Sequence, residues 1–155
     1  MPDSHSRTQI LLVEPHDASR AILRAAVRAL ADVEPHAGFE TARARLSAVP
    51  FDFLVTNIRL GAYNGLHLVY LASASDGRAP RAIVYSDGHD FGLAREAQSA
   101  GAFYETRECL PVTLAAYLQA MLPSRDRRDP AHRDRRAMFR GGRRCWDSHL
   151  AGRIA

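Results

Sequence analysis

Five short apolar runs alternate with five segments of helical periodicity, and this alternation limits the folds open to the chain. Parallel strands buried on both faces appear as short, nearly continuous apolar runs, and a helix between successive strands provides the crossover that parallel pairing needs. The pattern therefore predicts an α/β fold, a three-layer sandwich around a five-stranded parallel sheet. The predicted strands are residues 9–14, 33–37, 53–56, 81–86 and 102–105, and the predicted helices are 17–31, 40–49, 66–74, 89–100 and 111–121.

Composition divides the 155 residues into a body, 1–122, and a C-terminal tail, 123–155. The body carries 11 arginines against 13 acidic residues, whereas the tail carries 10 arginines against 4 acidic residues and has few apolar residues. The basic pI therefore describes the tail, which we expect to be flexible because it cannot build a core of its own. It could be an inert extension, bind an acidic protein or its own body, or bind nucleic acid through phosphate contacts. The arginine pairs Arg135-Arg136 and Arg143-Arg144 are the candidate contacts for an acidic partner.

No apolar run is long enough to cross a bilayer, and the first residues lack the apolar segment of a signal peptide. We therefore expect a cytoplasmic protein without membrane contacts. The two cysteines, Cys109 and Cys145, lie far apart and in no metal-binding spacing. They are predicted to be free thiols.

The segment FDFLVTNIRLGAYNG, Phe51–Gly65, indicates where a site would lie. Its apolar strand, 53–56, ends on the polar residue Asn57, and a loop leads to Gly65 at the start of the next helix. Ligands of open α/β sheets bind at the carboxyl ends of the strands. Asn57 is therefore the central candidate.

Four segments of the body resemble the receiver domains of bacterial response regulators. They are FDFLVTNIRLGAYNG, ILLVEPHD at the first strand, IVYSDGHD at the fourth and GAFYETRECLP at the fifth. The resemblance covers about residues 8–122. It implies a flavodoxin-like fold of strand order 2-1-3-4-5, a two-component or phosphorelay signalling role, and a phosphorylation site at the carboxyl edge of the sheet.

The resemblance places Asn57 where the family has its phospho-accepting aspartate. Glu14 fits the first acidic position, whereas Pro15 stands where a Mg²⁺-binding carboxylate belongs. We interpret the nearby Asp17 as a helix cap. Because Mg²⁺ requires carboxylate oxygens in octahedral geometry, we expect no useful Mg²⁺ affinity and no cofactor.

The remaining positions match the receiver family's pattern only in part. Ser86 supplies the hydroxyl that bonds a phosphoryl oxygen in the family, and Tyr104 stands at the switch aromatic, whose rotamer changes on activation. Tyr104 could be fixed in one state here, or could simply pack in the body. Arg107 replaces the family's lysine, and Glu108 replaces the following proline. A cis bond before Glu108 would cost about 3 kcal/mol, so we predict a trans bond, and we predict that Arg107 pairs with Glu14.

Three changes at one site predict a degenerate receiver, or pseudo-receiver, that is not an enzyme and signals through protein contacts. The family's interaction surface, formed by helix 4, strand 5 and helix 5, would here carry Phe91, Arg95, Tyr104 and Tyr117 and would bind a protein partner or a second copy.

Three alternatives remain open from the sequence. The body could be a phosphorylatable receiver with an unusual acceptor, for which Asp87 is the nearest candidate. The tail could bind nucleic acid, although it is too short for a helix-turn-helix, so sequence-specific DNA binding is not expected. An α/β enzyme of another class is disfavoured because no Gly-rich phosphate loop or Ser-His-Asp set is evident.

Overall fold

The computed structural model describes residues 7–74 and 78–121. Each predicted strand and helix is present, and a hairpin of two two-residue strands is added after the third strand. The elements are β1 (Thr8–Val13), α1 (Asp17–Val27), β2 (Ala31–His36), α2 (Phe39–Ala48), β3 (Phe53–Asn57), β4 (Arg59–Leu60), β5 (Tyr63–Asn64), α3 (Leu66–Ala74), β6 (Arg81–Ser86), α4 (Phe91–Ser99), β7 (Phe103–Thr106) and α5 (Leu110–Met121).

The main sheet is parallel throughout and has the order β2-β1-β3-β6-β7. The strands β4 and β5 pair only with each other, as an antiparallel hairpin. With that hairpin left out of the numbering, the order is 2-1-3-4-5, so the predicted flavodoxin-like sandwich is confirmed. The central strands β1, β3 and β6 bring their carboxyl ends to the same edge of the sheet.

Two apolar cores cover the two faces of the sheet, because successive side chains of a strand point to opposite sides. Leu11 and Val13 of β1 pack on the side of α2, α3 and α4. Ile10 and Leu12 pack on the side of α1 and α5, among the leucines of α5. Both faces of β1 are therefore buried, which explains why its sequence is continuously apolar.

The first helix is shorter than its sequence predicts. It ends at Val27 rather than Ala31, because Ala31 is buried as the first residue of β2. Asp17 is not the cap: it is the first helical residue, and His16 holds the N-cap position without a side-chain hydrogen bond. Ile22, predicted to lie on the apolar stripe, is 56% exposed.

Several predictions concern residues that the structure does not describe. The tail, with its four candidate arginines, lies outside the described residues, as does Cys145. The free-thiol prediction is wrong for Cys109, which is disulfide-bonded. Within residues 7–74 and 78–121, no helix is long and apolar enough to span a membrane.

Candidate functional site

Polar side chains gather at the carboxyl edge of the sheet, at the ends of three central strands and after β7. Glu14 follows β1, Asn57 ends β3, Ser86 ends β6 and Arg107 follows β7. Glu14, Asn57 and Ser86 are buried, with exposed fractions of 0%, 3% and 6%. The fold therefore brings these sequence-predicted positions to one edge of the sheet, where Asn57 and Arg107 both contact Glu14.

The Glu14 carboxylate is the centre of this cluster, and both of its oxygens are occupied. Oε1 accepts a hydrogen bond from the backbone N–H of His16 at 2.8 Å. Oε2 accepts from the Asn57 amide at 3.2 Å and from the Tyr85 hydroxyl at 2.6 Å, and lies 3.6 Å from the Arg107 guanidinium. A buried carboxylate is tolerated when it is paired and hydrogen-bonded in this way.

The Asn57 side chain is held at both ends. Its Nδ2 donates to Glu14, and its Oδ1 accepts from the Arg59 backbone N–H at 2.9 Å. An amide oxygen is a poor nucleophile and cannot form the acyl phosphate that a carboxylate forms. The same orientation presents an N–H, rather than a second carboxylate, to Glu14.

A glycine lets the following helix approach this strand end. An ideal Cβ at Gly65 would lie 2.2 Å from the Asn57 carbonyl oxygen and 2.8 Å from the Thr56 hydroxyl. Both distances are far inside van der Waals contact, so position 65 must be glycine for α3 to begin here. Gly65, the last residue of the segment Phe51–Gly65, thus allows α3 to begin in close contact with the backbone of Asn57.

The Arg107 side chain contacts three partners at this edge of the sheet. Its guanidinium contacts Glu14, donates to Ser19 Oγ at 2.8 Å, and places Nε 2.7 Å from Asp87 Oδ1. The Asp87 contact is an ion pair and not an aligned hydrogen bond. The predicted pairing of Arg107 with Glu14 is confirmed, and the bond before Glu108 is trans as predicted.

The loop after β1 offers no second acid to the site interior. Pro15 has no ligand atom in its side chain, and Asp17 is exposed and paired with Arg20. Arg20 also donates to the Glu14 carbonyl at 2.5 Å, which ties the loop to the first turn of α1. Among the described residues no three His, Cys, Asp or Glu side chains are grouped to hold a metal ion. The donor set therefore does not fit Mg²⁺.

Ser86 and Tyr104 form a second, adjoining cluster. Their hydroxyl oxygens are 2.5 Å apart, and both lie within hydrogen-bond distance of the Gly88 carbonyl oxygen, at 2.7 Å from Ser86 and 3.0 Å from Tyr104. Because each hydroxyl has one proton, one of the two donates to the carbonyl and the other donates to its hydroxyl partner. The Asp90 backbone N–H donates to the Tyr104 hydroxyl at 3.0 Å, and the Asp90 side chain caps α4. The tyrosine thus holds together the end of β6, the following loop and the start of α4.

Sequence reasoning missed Tyr85, which lies inside the site. It is fully buried, and burial together with its bond to Glu14 raises the pKa of its hydroxyl, so it remains a donor. The available signal was a tyrosine next to the end of an otherwise aliphatic strand, because a buried tyrosine hydroxyl normally finds a partner.

The fold can be compared with that of solved structures. No family model matches the chain, and no curated protein matches it. Solved structures do match, at a TM-score of 0.66. The CheY-like receiver domain from Methylobacillus flagellatus is 21% identical, covering 74% of this chain and 98% of that chain. Chemotaxis response regulator CheY4 of Vibrio cholerae is 18% identical with the same coverage, and the BeF3-activated DrrB receiver domain is 17% identical, covering 74% and 96%.

The chain therefore has the fold of response-regulator receiver domains, which the sequence motifs predicted. At these identities the likeness concerns the fold, so the chemistry of the site must be argued from its own residues.

Proposed function

We propose that the chain is a signalling module with a receiver fold that acts through protein contacts and without aspartyl phosphorylation. The observation that carries the proposal is the occupancy of Glu14 Oε2, where an amide, a hydroxyl and a guanidinium converge. In a working receiver the acids of this edge hold Mg²⁺ and accept a phosphoryl group. Here Glu14, the buried acid of this cluster, is already paired with groups of the chain itself.

The charges around the site support this proposal. Asn57 and Pro15 each remove a carboxylate, so the attraction for a divalent cation falls, while Arg107 places a positive charge beside the acid that remains. Two like charges about 4 Å apart repel by about 4 kcal/mol at an effective dielectric of 20. A divalent ion near Glu14 would have to overcome or displace Arg107.

The Tyr104 cluster supports a fixed output state. The tyrosine hydroxyl has three hydrogen-bonded neighbours, and none of them requires a phosphoryl group. We propose that this arrangement holds the start of α4 in one conformation, so that binding is constitutive.

The proposed interaction surface is formed by α4, β7 and α5. Phe91, at the first position of α4, is 82% exposed, and the exposed Arg95 follows one turn later on the same side of the helix. Tyr117 contributes little surface, because it packs on Phe103 with ring centroids 5.0 Å apart and its hydroxyl is buried. A protein partner or a second copy would bind at the Phe91 end.

Phosphotransfer from acetyl phosphate tests the proposal. The full chain is incubated with Mg²⁺ and acetyl phosphate and its intact mass is measured, with a response regulator that has a complete acidic site as the positive control. We expect no phosphorylated species of the native chain. A phosphorylated species would overturn the proposal, and mapping it to Asp87, which lies beside Arg107, would favour the alternative of a receiver with an unusual acceptor.

Sedimentation velocity tests whether the partner is a second copy. We expect Phe91→Ser to weaken a concentration-dependent dimer, whereas Ile22→Ser, a matched change of an exposed apolar residue on α1, leaves it intact. A native chain that is monomeric at all concentrations excludes the homodimer and leaves a different protein as the partner. Nucleic-acid binding by the tail, a cytoplasmic location and the lack of enzymatic activity also remain predictions.

A further inference from the structure

A row of polar side chains crosses the sheet from the candidate site towards α5. Asn57 of β3 is in register with Tyr85 of β6, and Tyr85 is in register with Glu105 of β7. Residues in register point to the same face of a sheet. Tyr85 packs in the core beneath α1 and α5, so Glu105 lies on the α5 side as well.

Glu105 is buried, and its carboxyl group is only partly satisfied. It is 3% exposed, and Oε1 accepts from the Thr106 backbone N–H at 3.0 Å. Among the described residues, Oε2 has no hydrogen-bond partner, and the buried hydroxyl of Tyr117 has none either. Tyr117 and Thr113 of α5 lie near enough to favour the charged form of Glu105, but neither forms a hydrogen bond of normal geometry with it.

The balance of forces on this carboxyl favours its neutral form. Burial raises the pKa of Glu105, while the Thr106 N–H, the hydroxyls of Thr113 and Tyr117 and the positive potential of His89 oppose the shift. The titratable groups facing it are Tyr117 from α5, His89 from the loop before α4, and Tyr85 from the neighbouring strand. The pKa values of Tyr117 and Tyr85 are both raised, chiefly by burial, so both stay neutral while Glu105 titrates.

We propose that Glu105 is a proton-sensitive residue that sets how tightly α5 packs on β7. The protonated carboxyl fits the buried position beneath Thr113 and Tyr117. The ionised carboxylate requires hydration that the closed packing does not provide, so ionisation favours states in which α5 moves away from β7. The inference concerns the packing of α5 alone and does not depend on the proposed function.

The sign of the pH dependence follows from the direction of the shift. A group whose pKa is higher in the folded protein stabilises it fully below the ordinary value, here 4.5, and this contribution is lost as pH rises through the folded value. A difference of one unit between the pKa values of a group in two states corresponds to about a tenfold change in the equilibrium constant between those states. We therefore compare the equilibrium constant for opening of α5 above the Glu105 midpoint with its value below pH 4.5. This constant is expected to be about tenfold larger for each pH unit by which the midpoint exceeds 4.5.

Carboxyl ¹³C NMR of the full chain, titrated with pH, tests the inference directly. We expect the Glu105 signal to titrate above pH 4.5, and hydrogen exchange of the α5 amides, corrected for intrinsic rates, to accelerate with the same midpoint. Glu105→Gln should abolish the α5 response, whereas Glu96→Gln, on the exposed side of α4, should leave it unchanged.

Either of two results would overturn the inference: a Glu105 midpoint at or below 4.5, or a raised midpoint with α5 exchange that does not follow it. If Glu105→Gln fails to fold, the native titration still decides, and Tyr117→Phe gives an independent check. Because the Tyr117 hydroxyl favours the charged carboxylate, its removal should move the Glu105 midpoint upwards. A midpoint that moves downwards would show that the two groups do not interact as inferred.

Discussion

Replacing Asn57 by aspartate places at this strand end the residue type that accepts the phosphoryl group in receiver domains, yet we predict that it destabilises this protein. The Asn57 Nδ2 lies 3.2 Å from Glu14 Oε2, so a carboxylate oxygen in its place would face a second carboxylate in a buried site. At that separation and an effective dielectric of 20, the repulsion is about 5 kcal/mol. Protonating one carboxyl avoids the repulsion and lets its O–H donate to the other.

Proton uptake therefore limits the cost and makes it depend on pH. Protonating an aspartate of ordinary pKa, about 3.9, costs about 4 kcal/mol at pH 7 and about 1.5 kcal/mol at pH 5. We expect Asn57→Asp to lower the free energy of unfolding by about these amounts. Urea unfolding of the full chain, followed by circular dichroism in EDTA, measures both values.

Asn57→Ala is the matched control, because it removes the same hydrogen bond without adding a charge. The decrease that it causes in the free energy of unfolding, relative to the native chain, should be nearly equal at pH 5 and pH 7. The reasoning would be refuted if Asn57→Asp were as stable as the native chain at pH 7, or if its cost did not grow between pH 5 and pH 7.

Three further changes test the packing and charges described above. Tyr85→Phe removes a hydrogen bond to a buried carboxylate and should cost about 2 kcal/mol in urea unfolding; an unchanged midpoint would show that the hydroxyl contributes nothing. Gly65→Ala should destabilise strongly because its Cβ would meet the Asn57 carbonyl oxygen at 2.2 Å, whereas Gly38→Ala, with open space at its Cβ, should be tolerated. Hydrogen bonds from an arginine and a histidine lower the pKa of Glu34 to about 2. Its contribution to the free energy of unfolding is therefore present above about pH 4.5 and is lost as pH falls towards 2. Glu34→Gln should remove that part of the acid sensitivity of unfolding.

The fold was predictable because the signals for its elements are local. The apolar run of β6 and the uncharged α3 were located to the residue, and Gly101, predicted to end α4, adopts the positive φ of 80° typical of that position. Where the prediction was wrong, tertiary packing decides. Ile22 has the spacing of a core residue, but α1 meets α5 through Leu23 and Val27 instead.

The candidate site was predictable only in part. The pairing of Arg107 with Glu14 could be predicted from charge, because an arginine and a buried acid at the same sheet edge attract each other. The role of Tyr85 depends on which face its strand presents and on the register with β3, and neither property is encoded within the strand itself. Glu105 is a similar case, since its burial depends on how α5 covers an edge strand.

An amide NMR titration of the full chain with Mg²⁺ and then beryllofluoride, a phosphoryl mimic, tests the central claim most directly. A response regulator with a complete acidic site serves as the positive control, and Asn57→Asp/Pro15→Asp tests whether restoring both carboxylates restores binding. We predict no saturable shifts at Glu14, Asn57, Ser86 or Tyr104 of the native chain. Saturable shifts at those residues would contradict the claim and show a receiver that responds to Mg²⁺ or phosphate despite Asn57.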